Sequence, residues 1–170
     1  MRFKEIYRSE HEDPNLSLGR FYSTDVRKLA AFRQREGRIF PSDIVDPQMY
    51  FTQRVRDPNT LYLTGRYRKD VLGYGAFDPI GANVAVLNCW VKKWKRVRRQ
   101  WLVGLMRTMA SFGFREMGLR RLTMTCTSFA KAAERLIRET GFTYEGTLRK
   151  LGNYNGPTDI LIFGLLKEEF

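Results

Sequence analysis

Residues 83–112 read NVAVLNCWVKKWKRVRRQWLVGLMRTMASF, and three kinds of chain meet in them. NVAVLNCWV is rich in β-branched and aromatic residues and has the pattern of a strand. After it, Leu102, Leu105, Met106, Met109 and Phe112 recur at helical spacing. Between the two lies KKWKRVRRQW, Lys92 to Trp101, with six basic residues and two tryptophans. A loop from a buried strand into a helix brings unsatisfied N–H groups and the positive end of the helix dipole to one place. Cations there favour an anionic partner: the phosphates of a cofactor, a nucleic acid or an acidic protein. In a nucleic-acid reading Lys92, Lys93, Lys95, Arg96, Arg98 and Arg99 neutralise phosphates, while Trp94 or Trp101 stacks on a base or packs inward. A solvated basic face is the competing reading of the same residues.

The rest of the chain frames this stretch. Upstream, TLYLTGRYR and DVLGYGAF are further strand candidates, and the short connections YRKD and DPIGAN predict an antiparallel meander. Two helices precede it. One has Thr24 as N-cap, Val26, Leu29, Ala30 and Phe32 as its apolar side, and Gly37 as its stop. The other has Asp46 as N-cap and Pro47 at the first helical position. MRFKEIYRS and LSLGRFY contain short strand-like runs. Downstream, Gly118 ends the helix and LRRLTMTC reads as a strand. A helix is then expected from about Phe129 to Thr140, capped by Ser128 or Thr127 and stopped by Gly141. Its apolar stripe is Phe129, Ala132, Ala133, Leu136 and Ile137. FTYEGTLRKLGNY and TDILIFGLLKEEF are the closing strands. A strand–helix–strand step requires a parallel crossover, so the expected fold is α/β, a mixed sheet with helices on both faces.

Composition supports one folded unit. The 170 residues are 43% hydrophobic and 14% aromatic, and no repeat or linker divides them, so a single domain over 1–170 is expected. No apolar run reaches membrane-spanning length, and the N-terminal MRFKEIYRSEHEDPN has no signal-like apolar region, which makes the cytoplasm the expected compartment. Cys89 and Cys126 read as buried free thiols, and with His11 as the single histidine no Cys/His metal set can be assembled. Thirty basic residues against eighteen acidic ones give a net charge of +12. Ten Lys/Arg and one acid, Glu116, fall between Lys92 and Arg121, so most of the excess sits in one segment.

The order of elements, with a pivotal helix after the third meander strand, resembles the GNAT acyltransferase superfamily. The C-terminal segment ERLIRETGFTYEGTLRKLGNYNGPTDILIFGLLKEEF is similar to the ending of the RimJ/RimL-type N-acetyltransferases. Gly141, Phe142, Glu145, Gly146, Leu148, Arg149, Asp159, Leu165, Leu166 and Glu168 fall at that group's positions, and FGFREMGLRRL matches its preceding helix end and strand start. The similarity covers roughly residues 60–170. It implies transfer of an acetyl group from acetyl-CoA to an amine, of a protein or another acceptor, by direct attack. It further implies that the cofactor lies where two central strands splay apart. Backbone groups of Asn88 to Val91 (Cys89, Trp90 and Val91 on the cofactor) and a helix N-terminus at Val97 to Leu102 would hold it.

Two features depart from the family. Its phosphate loop carries glycines, and counting back from FGFREMGL places them among Arg98, Arg99, Gln100, Trp101 and Leu102, none of which is glycine. In the cofactor reading Arg96, Arg98 and Arg99 replace backbone amides as charge-assisted donors, at about 1.5–3 kcal/mol per contact. The alternative is a fold that has lost its cofactor site and acts as a basic nucleic-acid-binding or interaction module. In the following helix, Ala130 and Ile137 stand where relatives carry an asparagine and an acid tyrosine.

Direct attack needs a neutral amine and an acceptor for its proton. Asn88 is a candidate to orient a water, and Asp78 and Glu145 are the carboxylate candidates. Asp78 also reads as a turn residue of DPIG, and Glu145 and Asp159 as braces pairing with Arg149. Tyr144 is an acid candidate, as is Tyr154. Cys89 would be the nucleophile of a covalent route.

Overall fold

The computed structural model describes residues 6–22, 25–36, 46–92 and 97–170; of Ile6, residues 32–36 and Pro47 it describes the backbone alone. Thr24, Gly37 and the side chain of Phe32, assigned above to the first helix, lie outside the described residues. The elements are β1 (Ile6–Tyr7), β2 (Leu16–Arg20), α1 (Val26–Glu36), α2 (Pro47–Val55), β3 (Leu61–Tyr67), β4 (Asp70–Gly81), β5 (Val84–Val91), α3 (Arg99–Arg115), β6 (Arg121–Thr127), α4 (Lys131–Glu139), β7 (Thr143–Asn153) and β8 (Pro157–Leu166). All eight strands join one mixed sheet in the order β1-β2-β3-β4-β5-β6-β8-β7. The β5–β6 pair is parallel and the other pairs are antiparallel.

Period-2 alternation divides the strands between two cores. On one face Leu63, Phe77, Ala85, Leu87, Leu122, Met124 and Phe163 pack against Leu102, Leu105, Met106, Met109 and Phe112 of α3 and Leu136 and Ile137 of α4. α3 comes close to the sheet because Gly75 lies beneath it; a Cβ there would stand 2.7 Å from the Met109 sulfur. On the other face Tyr62, Tyr74 and Ala76, with Trp90 partly buried, pack against Leu29 and Ala30 of α1 and Phe51 of α2.

Two local expectations need correction. Asp78 is not a turn residue: β4 continues to Gly81, Asp78 pairs with Val86, and the reversal falls at Ala82–Asn83, where Asn83 has φ 59°. Pro79 is tolerated inside the strand because β3 has already ended, its last pair being Leu61 with Phe77, so no ladder partner awaits its missing N–H. The helix expected from Phe129 begins at Lys131, with Ala130 as N-cap and no side-chain cap. Thr127 is still paired with Ile160, and Ser128 N–H bonds the Asp159 carbonyl, so the chain leaves the sheet only after Ser128. Phe129 is therefore 55% exposed rather than part of the helix stripe.

Candidate active site

β5 and β6 are hydrogen-bonded neighbours only over Val84–Val86 and Arg121–Thr123. Beyond those residues β5 stays paired with β4 up to Val91, and β6 stays paired with β8 up to Thr127. Each strand is held from its far side, so the gap between them is a fixed wedge. Antiparallel pairing decides which groups face it. Lys92 N–H bonds the Leu72 carbonyl at 2.9 Å, and the alternation then turns Trp90 and Asn88 toward β4. The N–H and C=O groups of Leu87, Cys89 and Val91 point into the wedge. Of the predicted backbone contacts, Cys89 and Val91 are so placed. Trp90 is not, because its amide serves β4 and its ring packs edge-on to Phe51 and parallel to Tyr62.

The N-terminus of α3 stands at the open end, since α3 follows β5 in the chain. Arg98 is its N-cap, with no side-chain hydrogen bond and no acid in the first turn, so the first N–H groups are uncapped. The bulky residues that replace glycine leave this end. Leu102 is fully buried in the core, Trp101 stacks on Tyr67 at 4.0 Å between ring centroids, and Arg99 pairs with Glu139. Arg98 lies over the Trp101 ring, and Gln100 is exposed. Arg98 and Gln100 are thus the side chains left at the helix start, and they fit a phosphate there. Lys93, Trp94, Lys95 and Arg96 lie outside the described residues.

On the α2 face, one row from the wedge, the side chain of Asn88 enters a polar network. Its Nδ2 donates to Asp78 Oδ2 at 2.7 Å. Asp78 also accepts from Arg54 at 2.5 Å and from the Thr60 hydroxyl at 2.7 Å. Arg54 in turn donates to the Tyr50 hydroxyl at 3.1 Å. Burial opposes the charge of Arg54, but Tyr50, Tyr62 and Asp78 outweigh it and hold its pKa above the ordinary value. These residues, with Asp57, Asn59, Pro79, Ile80 and Val86, line or border an open cleft of about 580 Å³. Sequence reasoning missed Arg54 and Thr60, which reach Asp78 only because α2 and β3 are folded across β4.

The remaining candidates are placed elsewhere. Glu145 pairs with Arg121, not Arg149, at the start of β6, where β5 and β6 are still joined. Asp159 accepts from the Lys150 N–H at 2.8 Å and braces the β7–β8 hairpin without Arg149. Tyr144 lies on the outermost strand β7, its hydroxyl bonded to Thr147 and its ring against Phe163. Two strands separate it from the wedge. Tyr154 packs edge-on to the exposed Phe129. Ile137 is buried in the core. No helix among the described residues is long and apolar enough to cross a membrane.

Burial pushes the Cys89 thiol up to about 12, and its sulfur lies 3.5 Å from that of Met109. Burial, with Glu134 adding to it, pushes the Cys126 thiol up to about 11. At pH 8 a thiol of pKa about 12 is roughly one part in ten thousand thiolate, too little for a nucleophile. Iodoacetamide at pH 8 is expected to label the partly buried Cys89 far more slowly in the native protein than after unfolding. Mass spectrometry of the digest reads both states, and native labelling as fast as that of the unfolded chain would contradict the raised pKa of Cys89.

No protein-family model and no curated protein matches the chain. Solved structures do. RimL, a ribosomal L7/L12 α-N-protein acetyltransferase in complex with coenzyme A, superposes with TM-score 0.76 at 15% identity, covering 98% of this chain and 100% of that one. Mycobacterium smegmatis RimJ in complex with CoA-disulfide gives TM-score 0.74 at 15% identity, over 91% and 83% of the two chains. A point mutant of the spermidine N-acetyltransferase SpeG from Vibrio cholerae gives 0.75 at 15% identity, over 92% and 96%. At these identities the likeness is one of fold, and it extends over 91–98% of this chain. With the splayed parallel pair and the helix that follows it, the chain has the fold of the GNAT acetyltransferases, in the form shared by RimJ and RimL.

Proposed function

We propose that this protein is an N-acyltransferase that moves an acetyl group from acetyl-CoA to an amine. The wedge between β5 and β6 is the observation that carries the reading: two strands part at Val86 and Thr123 with the uncapped end of α3 above the gap. RimL and RimJ, which share the fold, hold coenzyme A or its disulfide. Acetyl-CoA supplies the activated acyl thioester. The N–H groups of Leu87, Cys89 and Val91 are the donors for its amide-bearing arm and for the carbonyl oxygen that gains charge. The first N–H groups of α3, with Arg98 and Gln100, take the phosphates.

The amine approaches from the α2 side, where Asn88 borders the wedge. Asp78 is an obligate acceptor when ionised, so the Asn88 carboxamide must present Nδ2 to it and turn Oδ1 away. Asn88 Oδ1 is then a hydrogen-bond acceptor for the incoming amine or for the water that takes its proton. Asp78, already accepting three hydrogen bonds, orients Asn88 rather than acting as the base. RimL acts on a ribosomal protein and SpeG on spermidine, so a protein N-terminus and a small amine are both represented among proteins of this fold.

Calorimetric titration with acetyl-CoA tests the reading. Saturable binding is expected, and it should weaken when Arg98 is replaced by glutamate. Absence of binding at millimolar acetyl-CoA would sink it and leave a basic binding module, with nucleic acid or an acidic protein as partner. For that alternative the charge of +12 remains, but Trp101, packed on Tyr67, contributes to the fold rather than standing ready for a base.

A further inference from the structure

We infer that the cleft walled by Arg54, Asp57, Thr60, Asp78 and Asn88 is a binding site for a small primary ammonium carrying a second positive charge, with one nitrogen at Asn88 and the other at Asp57. The inference rests on the acyltransferase reading for its role as the acceptor site, but not for the binding itself.

Charge separates this cleft from the rest of the surface. The protein as a whole is +12, yet the cleft is lined by two carboxylates and one guanidinium. Arg54 and Asp78 neutralise each other at 2.5 Å, which leaves Asp57 as the uncompensated charge. Its carboxylate accepts from Asn59 N–H at 2.9 Å and lies 3.4 Å from the Thr60 hydroxyl, whose proton goes to Asp78, and no cation among the described residues pairs with it. The local sign therefore favours a cation, against the long-range field of the molecule.

The hydrogen-bonding inventory agrees. With Nδ2 held by Asp78, the Asn88 amide offers the cleft an oxygen, and Asn59 and Asp57 offer further acceptors at its mouth. Behind the cleft the Tyr62 hydroxyl is buried beside Arg54, only 5% of the residue being exposed. The apolar wall of Pro79, Ile80 and Val86 accommodates the methylene chain that joins two ammonium groups. An anionic acceptor would meet Asp57 without a counter-charge; a neutral amine would leave Asp57 unused.

Putrescine and propylamine, titrated separately by calorimetry into the full-length protein, test the inference. Putrescine should bind the more tightly, and Asp57→Asn should weaken it about fivefold, the upper range for one exposed ion pair, while leaving propylamine unchanged. Asp57→Lys should weaken it further, and added salt should reduce the difference between the two amines. Asn59 and Thr60 keep an acceptor in Asp57→Asn, so the turn is retained. Equal binding of the two amines, no putrescine binding to the wild-type protein, or no change in Asp57→Asn would each overturn the inference. The acetyl-CoA titration is independent of this result. Putrescine binding without acetyl-CoA binding defeats the acyltransferase reading alone, and acetyl-CoA binding without putrescine binding defeats the cleft assignment alone.

Discussion

Replacing Gly73 with alanine is expected to destabilise the protein and weaken acetyl-CoA binding in the same variant. Gly73 pairs with Val91 at the end of β5 that borders the wedge. A Cβ built there would stand 2.5 Å from the Trp90 carbonyl oxygen and 3.0 Å from the Val91 Cα. Both are backbone atoms, so no rotamer change relieves the contact, and β5 itself must move. Overpacking of this kind costs about 1–3 kcal/mol, and in a chain of this size each kcal/mol lowers Tm by about 2–4 °C. The same movement displaces the Val91 N–H, one of the donors that face the wedge. Loss of one such hydrogen bond, at about 1 kcal/mol, corresponds to roughly fivefold in acetyl-CoA affinity. Gly81→Ala is the control, because a Cβ at Gly81 meets nothing within 4 Å and the change should stay within about 0.5 kcal/mol. Thermal unfolding and acetyl-CoA titration of both variants give the comparison. An unaltered Tm for Gly73→Ala would show that β4 and β5 are not locked at this pair.

Replacing Asp78 with alanine is expected to raise the acceptor KM while leaving the affinity for acetyl-CoA within about twofold of wild type. Three donors lose their acceptor at once: Arg54, Thr60 and Asn88. Breaking a fully buried ion pair by removing one partner costs about 3–5 kcal/mol. Here the Arg54 side chain is 38% exposed and the Asp78 side chain 19%, so water takes over part of the solvation and about 2 kcal/mol is expected. The functional effect is distinct from the loss of stability. Without Asp78 the Asn88 carboxamide is free to rotate, and its oxygen loses the fixed direction on which the proposed acceptor site rests. Asp78→Asn discriminates the two contributions. It keeps an oxygen for Asn88 Nδ2 but removes the charge opposite Arg54, so stability should fall while the acceptor KM stays closer to wild type. Equal KM effects in both variants would assign the role to charge rather than to orientation.

Local periodicity was enough for most of the architecture. The helical repeat from Leu102 to Phe112, Asp46–Pro47 at the start of α2 and the β-branched runs of β3, β4 and β5 each specify an element from neighbouring residues alone, because propensity, capping and binary pattern act over a few positions. The C-terminal pattern around Gly141–Phe142 and Glu145–Gly146 was likewise legible as a family resemblance. The replaced glycines of the basic loop were visible as well, but not their consequence. Whether Trp101 and Leu102 obstruct the end of α3 depends on where their side chains go, and that is set by Tyr67 on β3 and by the core.

What the sequence by itself determined was the kind and order of the elements, the excess of charge around KKWKRVRRQW, and the strand–helix–strand step from β5 through α3 to β6 that makes a parallel, splayed pair possible. Only the tertiary structure decided which groups face the wedge, because a ladder's alternation is fixed by the register of β5 against β4 and cannot be read from β5 alone. It also decided that Glu145 belongs to Arg121 and that Asp78 belongs to Arg54, Thr60 and Asn88. Those partners lie 10 to 24 positions apart in the chain, and side chains so separated meet only when packing of the sheet against its helices brings their backbones together.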